Sequence, residues 1–135
     1  MGTIVVGYVP KPEGRAALRR AAEEARLRRT RLVVVNSARG GAGFDDDDNV
    51  EHEKELADVR ASLDAEGIEN EVRQLVRGHD PAEDLIAVAG ETGADFIVIG
   101  LRRRTPVGKL ILGSNAQRIL LEAPCPVLAV KADED

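Results

Sequence analysis

The apolar positions of this chain fall into short runs that alternate with longer stretches of helical spacing. Thr3–Gly7 (TIVVG) is a β-branched run stopping at glycine, which predicts a buried strand. Tyr8-Val9-Pro10-Lys11-Pro12 follows, and two prolines so close together predict a loop. From Glu13 to Arg29, Ala17, Ala21 and Ala25 recur at every fourth position, with Leu18 and Ala22 widening the stripe. That spacing predicts a helix whose small buried face can lie close to a sheet, with Arg20–Glu24 and Glu24–Arg28 placed for i,i+4 pairing. Leu32–Val35 (LVVV) reads as a second buried strand. Val50–Glu66 is a second helix, with Leu56, Val59 and Leu63 on one face and Gly67 as its stop.

Ile68–Arg77 alternates imperfectly and carries charges, the pattern of a half-exposed edge strand. Asp80-Pro81-Ala82-Glu83 is a helix start, with Asp at the N-cap, Pro at N1 and Glu at N3. This third helix runs to about Thr92, with Leu85, Ile86 and Ala89 inward, and Gly93 ends it. Phe96–Ile99 is an apolar run stopping at Gly100; a capping box at Ser114-Asn115-Ala116-Gln117 then opens a fourth helix carrying Ile119, Leu120 and Leu121, which Pro124 stops. Pro126–Lys131 (PVLAVK) is the last strand. The order β-α-β-α-β-α-β-α-β predicts an α/β fold: a three-layer sandwich with a parallel sheet, right-handed crossovers and helices on both faces. Ligands of such sheets gather beyond the carboxyl ends of the strands, here at Gly7, Asn36-Ser37 and Gly100.

Composition narrows the function. With 135 residues the chain is expected to form one domain, 1–135. Aromatic residues are 2 %, limited to Tyr8, Phe44 and Phe96, so the core is aliphatic and platforms for stacking single-stranded bases are missing. A net charge of −5 opposes a broad DNA-binding surface, and no nucleic-acid partner is expected. The charge is uneven: residues 1–31 carry eight basic and three acidic groups, and residues 45–71 carry twelve acidic and two basic, which reads as solvated helix faces of opposite sign. The glycine-rich stretch through Asp48 predicts a flexible loop over 37–49. Its four aspartates lack the ligand spacing and glycine position of a calcium loop, so no metal site is expected. Cys125, the single cysteine, sits between Pro124 and Pro126 and is read as a small buried residue. No apolar stretch approaches membrane-spanning length and no charged-then-apolar leader precedes Ile4, so the expectation is a cytoplasmic protein with no membrane partner.

The chemistry concentrates between Ala94 and Ser114, where a buried strand, a cationic loop (Arg102, Arg103, Arg104, Lys109) and a helix N-terminus follow one another. Free N–H groups at Ser114, Asn115 and Ala116 and the positive end of the helix dipole suit an anion. A Walker A loop does not fit: Gly108-Lys109 is present, but Arg103 stands at the first glycine position and Leu110 replaces the magnesium-binding hydroxyl. His52, on a charged helix, and His79, before an N-cap, are read as solvated. No acid–base pair converges on Gly100–Ser114, so no catalytic residue is assigned.

From Thr3 to Lys131 the chain resembles the universal stress protein family, through TIVVG, GRAALRRAAEEA, GADFIVIG and GKLILGSNAQRILLEAPCPVLAVK. The resemblance implies an adenine nucleotide alpha-hydrolase-like sheet of order 3-2-1-4-5. It also implies a homodimer joined by antiparallel pairing of the last strands, at Val127, Leu128, Ala129 and Val130. Some members bind ATP or related adenine nucleotides through G-x2-G-x9-G-[ST] plus an aspartate after the first strand. Gly100, Gly113 and Ser114 match; the second glycine falls on Arg103 and the aspartate on Val9. By this correspondence the base lies near Val9, Ser37 and Ile99, while Ser114 and Asn115 face the phosphates. ATP or AMP is the implied ligand, with magnesium only beside ATP. Val9 cannot accept a hydrogen bond from the nucleoside. Arg103 adds bulk where backbone would approach phosphate, but also a guanidinium able to fork onto phosphate oxygens. The expected function is a non-enzymatic stress-response or regulatory module. A slow nucleotide hydrolase and a ligand-free interaction scaffold are the alternatives.

Overall fold

The computed structural model describes residues 2–38, 46–76, 80–101 and 113–132. The elements are β1 (Thr3–Gly7), α1 (Pro12–Arg28), β2 (Arg31–Ala38), α2 (Asp46–Ala65), β3 (Asn70–Val76), α3 (Pro81–Thr92), β4 (Phe96–Leu101), α4 (Ser114–Glu122) and β5 (Val127–Lys131). The five strands form one sheet of order β3-β2-β1-β4-β5, and every neighbouring pair is parallel. Both the α/β class and the expected strand order stand.

Strand alternation divides the core in two. Ile4, Val6, Leu32, Val34 and Val98 face α1 and α2, where they meet Ala17, Ala21, Ala22, Ala25, Leu56, Val59 and Leu63. Val5, Val33, Val35, Ile97 and Ile99 face the other way, toward Ala82, Leu85, Val88 and Ala89 of α3 and Ile119 of α4. β1 lies at the middle of the sheet and is apolar on both faces, which explains its unbroken β-branched run. α1 uses alanines because it lies close over the sheet. Both predicted ion pairs form on its outer face, Arg20–Glu24 at 3.3 Å and Arg28–Glu24 at 3.1 Å. Two further pairs join Arg15, near the start of α1, to Glu55 in the middle of α2 at 3.3 Å, and Arg26, near the end of α1, to Glu66 just past α2 at 3.2 Å.

Several expectations need correction. β2 extends three residues past the apolar run, because Asn36, Ser37 and Ala38 continue the ladder opposite Gln74, Leu75 and Val76. α2 begins at Asp46 rather than at Val50, so three of the four aspartates belong to the helix; of the stretch expected to be a loop, 39–45 lie outside the described residues. On α3, Val88 is buried and Ile86 only half-buried. Leu120 and Leu121, read as part of the apolar face of α4, are 41 % and 84 % exposed. Cys125 is half-buried rather than buried; burial, then the charge of Asp95, pushes its thiol pKa up.

Candidate functional site

The carboxyl ends of β1, β2 and β4 form the end of the sheet that the sequence pointed to. β1 finishes at Gly7, and the Tyr8 N–H extends its pairing by donating to the Val35 carbonyl at 2.9 Å. Tyr8 is buried, and its hydroxyl donates to Glu55 Oε1 of α2 at 2.9 Å. Burial first, then the hydrogen bond to and charge of Glu55, raises the Tyr8 pKa to about 12, outweighing Arg15. Val9 follows, 38 % exposed. The Lys11 N–H donates to the Val9 carbonyl at 2.8 Å, and Lys11 becomes the N-cap of α1 with Pro12 at the first helical position.

This turn is seated by two glycines. A Cβ at Gly14 would strike the Val9 backbone, its nitrogen at 2.7 Å and its carbonyl carbon at 2.8 Å. A Cβ at Gly100 would strike the Glu13 carbonyl, with the carbon at 2.6 Å. The absence of a side chain at Gly100 is thus required by the first turn of α1, independently of any phosphate.

Ile99, one residue before, is 5 % exposed and packs with Ile119 and Leu85 in the α3/α4 cluster. α4 leads from the end of β4 back to the start of the parallel strand β5, so its N-terminus lies at the same end of the sheet. The sequence predicted Ser114 as its N-cap; the N-cap is Gly113, extended at φ −70° and ψ 166°, with no side-chain cap hydrogen bond. The Gly113 carbonyl accepts from the Gln117 N–H at 3.0 Å, which makes Gly113 the half-in residue, a position that glycine tolerates well. Ser114 becomes the first helical residue, exposed, with Asn115 half-buried beside it. The Ser114, Asn115 and Ala116 amides fall in the first turn, where N–H groups have no partner within the helix.

The structure therefore collects Val9, Ile99, Gly100, Gly113, Ser114 and Asn115 at one end of the sheet. Ser37 joins them as a β2 residue paired with Leu75, two positions past the residue opposite Gly7. Arg103 lies outside the described residues, as do Arg102, Arg104, Lys109 and His79. Next to Ser37, Asn36 is 1 % exposed, and its Nδ2 has no hydrogen-bond partner among the described residues. No group of three or more His, Cys, Asp or Glu is placed to hold a metal ion among the described residues. Nor is any described helix long and apolar enough to cross a membrane.

Sequence reasoning passed over one cluster at the foot of α4. Arg118 donates to Asp80 Oδ2 at 2.6 Å, Glu83 Oε1 at 2.8 Å and Glu122 Oε2 at 3.0 Å. Asp80 uses its other oxygen to cap α3, accepting from the Ala82 N–H at 2.9 Å. The bond to Glu83, with those to Glu122 and Asp80, holds the Arg118 pKa above the ordinary guanidinium value despite an opposing desolvation. Arg118 and Glu122 stand at i,i+4 spacing, but no local spacing links Arg118 to Asp80 and Glu83, so on α3 only the Asp80 cap was legible. A cavity of about 360 Å³ opens at the other end of the sheet, among Arg26, Arg29, Glu66 and Glu69. Its balanced charges and its distance from the strand carboxyl ends set it apart from the candidate site.

A model of the universal stress protein family matches residues 1–131. A universal stress protein of Mycolicibacterium smegmatis is 48 % identical over 128 residues, covering 95 % of this chain and 96 % of that protein. Among solved structures, a universal stress protein from Archaeoglobus fulgidus is 42 % identical, covers 97 % of this chain and 99 % of its own, and superposes with a TM-score of 0.81. Another, the universal stress protein from Archaeoglobus fulgidus in complex with dAMP, is 36 % identical, covers 97 % and 98 %, and has a TM-score of 0.75. With end-to-end matches in both sequence and fold, this chain belongs to the universal stress protein family.

Proposed function

We propose that this protein is a non-enzymatic regulatory module that binds an adenine nucleotide at the carboxyl end of its sheet. The base lies against Val9, Ser37 and Ile99, and the phosphate meets the α4 N-terminus at Gly113, Ser114 and Asn115, with Arg103 contributing charge. The observation that carries this reading is the α4 start. Its serine is not spent on capping, its first-turn amides have no partner within the helix, and it opens at the end of the sheet where parallel α/β folds take ligands. The dAMP complex of the Archaeoglobus fulgidus relative supports a nucleotide as the anion. A neutral apolar Val9 gives the base a contact surface without a hydrogen bond to the nucleoside, so affinity rests on the phosphate half. Calorimetric titration with AMP and with ATP, each with and without Mg²⁺, tests it: saturable heat is expected, and silence at millimolar nucleotide would leave the interaction-scaffold reading. Release of phosphate from ATP that disappears in Ser114→Ala would instead establish the hydrolase.

The module is proposed to work as a homodimer through β5. This strand closes one side of the sheet, pairs with β4 along one edge, and presents half-buried Val127, Leu128 and Val130 with exposed Ala129. The Ile97 N–H donates to the Pro126 carbonyl and the Ala132 N–H to the Leu101 carbonyl. Alternate amides of β5, at Leu128 and Val130, therefore face β4, while those at Val127 and Ala129 face the open edge. Proline at Ala129 removes an edge donor. Sedimentation should show the dimer dissociating in Ala129→Pro while the far-ultraviolet spectrum is kept; a folded, intact dimer would rule out pairing through this strand.

A further inference from the structure

α4 carries the proposed phosphate end, yet it has little apolar hold on the domain. Ile119 is its one buried residue among those described, Ala116 is half-buried, and Leu120 and Leu121 point outward. What ties the helix down in addition is Arg118, four residues after Ser114. Its guanidinium spans from α4 to the first turn of α3 through Asp80 and Glu83, and closes on its own helix through Glu122. Asp80 is itself fixed, because its second oxygen caps α3. The two helices that start at the ligand end are therefore pinned to each other through one side chain, which runs from the middle of α4 to the N-terminus of α3.

We infer that Arg118 is the positioning residue of the phosphate half: its three-way fork sets where the α4 N-terminal amides stand relative to the ends of β1 and β4. The inference rests on the nucleotide reading above. Arg118 touches no ligand in this scheme. It acts by fixing the helix, so the base half of the site is unaffected by its loss. Charge alone is not the mechanism, since the cluster already carries three carboxylates against one cation. The planar fork is, and lysine cannot reproduce it.

The test is Arg118→Lys, which keeps the charge and loses the fork, measured with AMP and with adenosine. AMP affinity should fall about fivefold, while adenosine affinity stays within about twofold. Equal losses for both ligands, or AMP binding unchanged from the parent, would overturn the inference. A second measurement needs no nucleotide: amide hydrogen exchange in the ligand-free protein. Exchange of the α4 amides from Gln117 to Leu121 should quicken in Arg118→Lys, with α1 amides as the unchanged reference. Unaltered exchange in α4 would overturn the clamp on its own. If the parent protein binds neither ligand, the nucleotide reading fails, and the exchange result still decides what Arg118 does.

Discussion

The two faces of the sheet are held by different physics. On one face, α1 across β4, β1 and β5 and α2 beside β3 bury a wide aliphatic layer. Alanines lie close to the strands, Leu56, Val59 and Leu63 fill the space beside them, and ion pairs at Arg15–Glu55 and Arg26–Glu66 decorate the seam. On the opposite face α3 is packed in the same way, but α4 adds Ile119 as its one buried residue with Ala116 half-buried, and relies on the Arg118 cluster. Apolar burial is insensitive to salt and spread over many atoms, whereas a half-exposed ion cluster is directional and screened. The face with the stronger apolar hold makes the domain stable; the other carries the proposed site on a helix whose placement depends on a few hydrogen bonds.

That contrast is open to measurement, and the largest effect should come from the packed face. Leu63 is 2 % exposed, so Leu63→Ala should lower unfolding free energy by about 3 kcal/mol, whereas Leu121→Ser on α4 should change it by less than about 0.5 kcal/mol. Urea unfolding of the two variants decides it, and comparable losses would erase the distinction between the faces. Next, Asp80→Ala removes a helix cap and one leg of the Arg118 cluster together and should cost about 1–2 kcal/mol. Asp80→Asn keeps the capping oxygen and should cost clearly less, isolating the charged leg; equal midpoints for the two would show the cap to be idle.

The smallest effect concerns Tyr8, the chain's only tyrosine in a chain without tryptophan, so its ionisation can be followed cleanly by absorbance. The folded protein holds the phenol proton up to about pH 12, against an ordinary value of 10.0. A raised folded pKa means that the unfolded chain loses its proton first. The contribution to stability is therefore complete below the ordinary value and disappears as pH rises through the folded one. The absorbance midpoint should stand near 12 in the parent and move downward in Glu55→Gln, because an ionised neighbour no longer opposes the phenolate. A parent midpoint at the ordinary value would mean that α2 does not hold Tyr8 as described.

Much of this architecture was legible from local spacing. The bounds of β1 coincide with the TIVVG run, Asp80 caps α3 as its Pro-x-Glu context implied, and Gly93 closes that helix in the left-handed conformation. What local spacing could not carry was decided by partners far along the chain. β2 continues through Asn36, Ser37 and Ala38 because β3 supplies a ladder there, although the apolar run has ended. The Ser-x-x-Gln sequence at Ser114 fits a capping box, yet the helix starts one residue earlier, on Gly113. Gly100 was legible as a motif position, while its contact with Glu13 depends on how α1 settles across the sheet. For Arg118 only the i,i+4 spacing to Glu122 is local, and its partners on α3 are more than thirty residues away.

The glycine seats at Gly14 and Gly100 have a consequence for how this site can vary. Gly14 packs against the Val9 backbone and Gly100 against the Glu13 carbonyl with no room for a Cβ at either glycine, so the main chain bearing Val9 is held closely against the start of α1. One wall of the proposed pocket is in effect a cast template, and selectivity along it is written only in the side chain at position 9. Replacing Val9 re-letters that wall without moving it, whereas the α4 side, held through Arg118, is the wall that can be shifted.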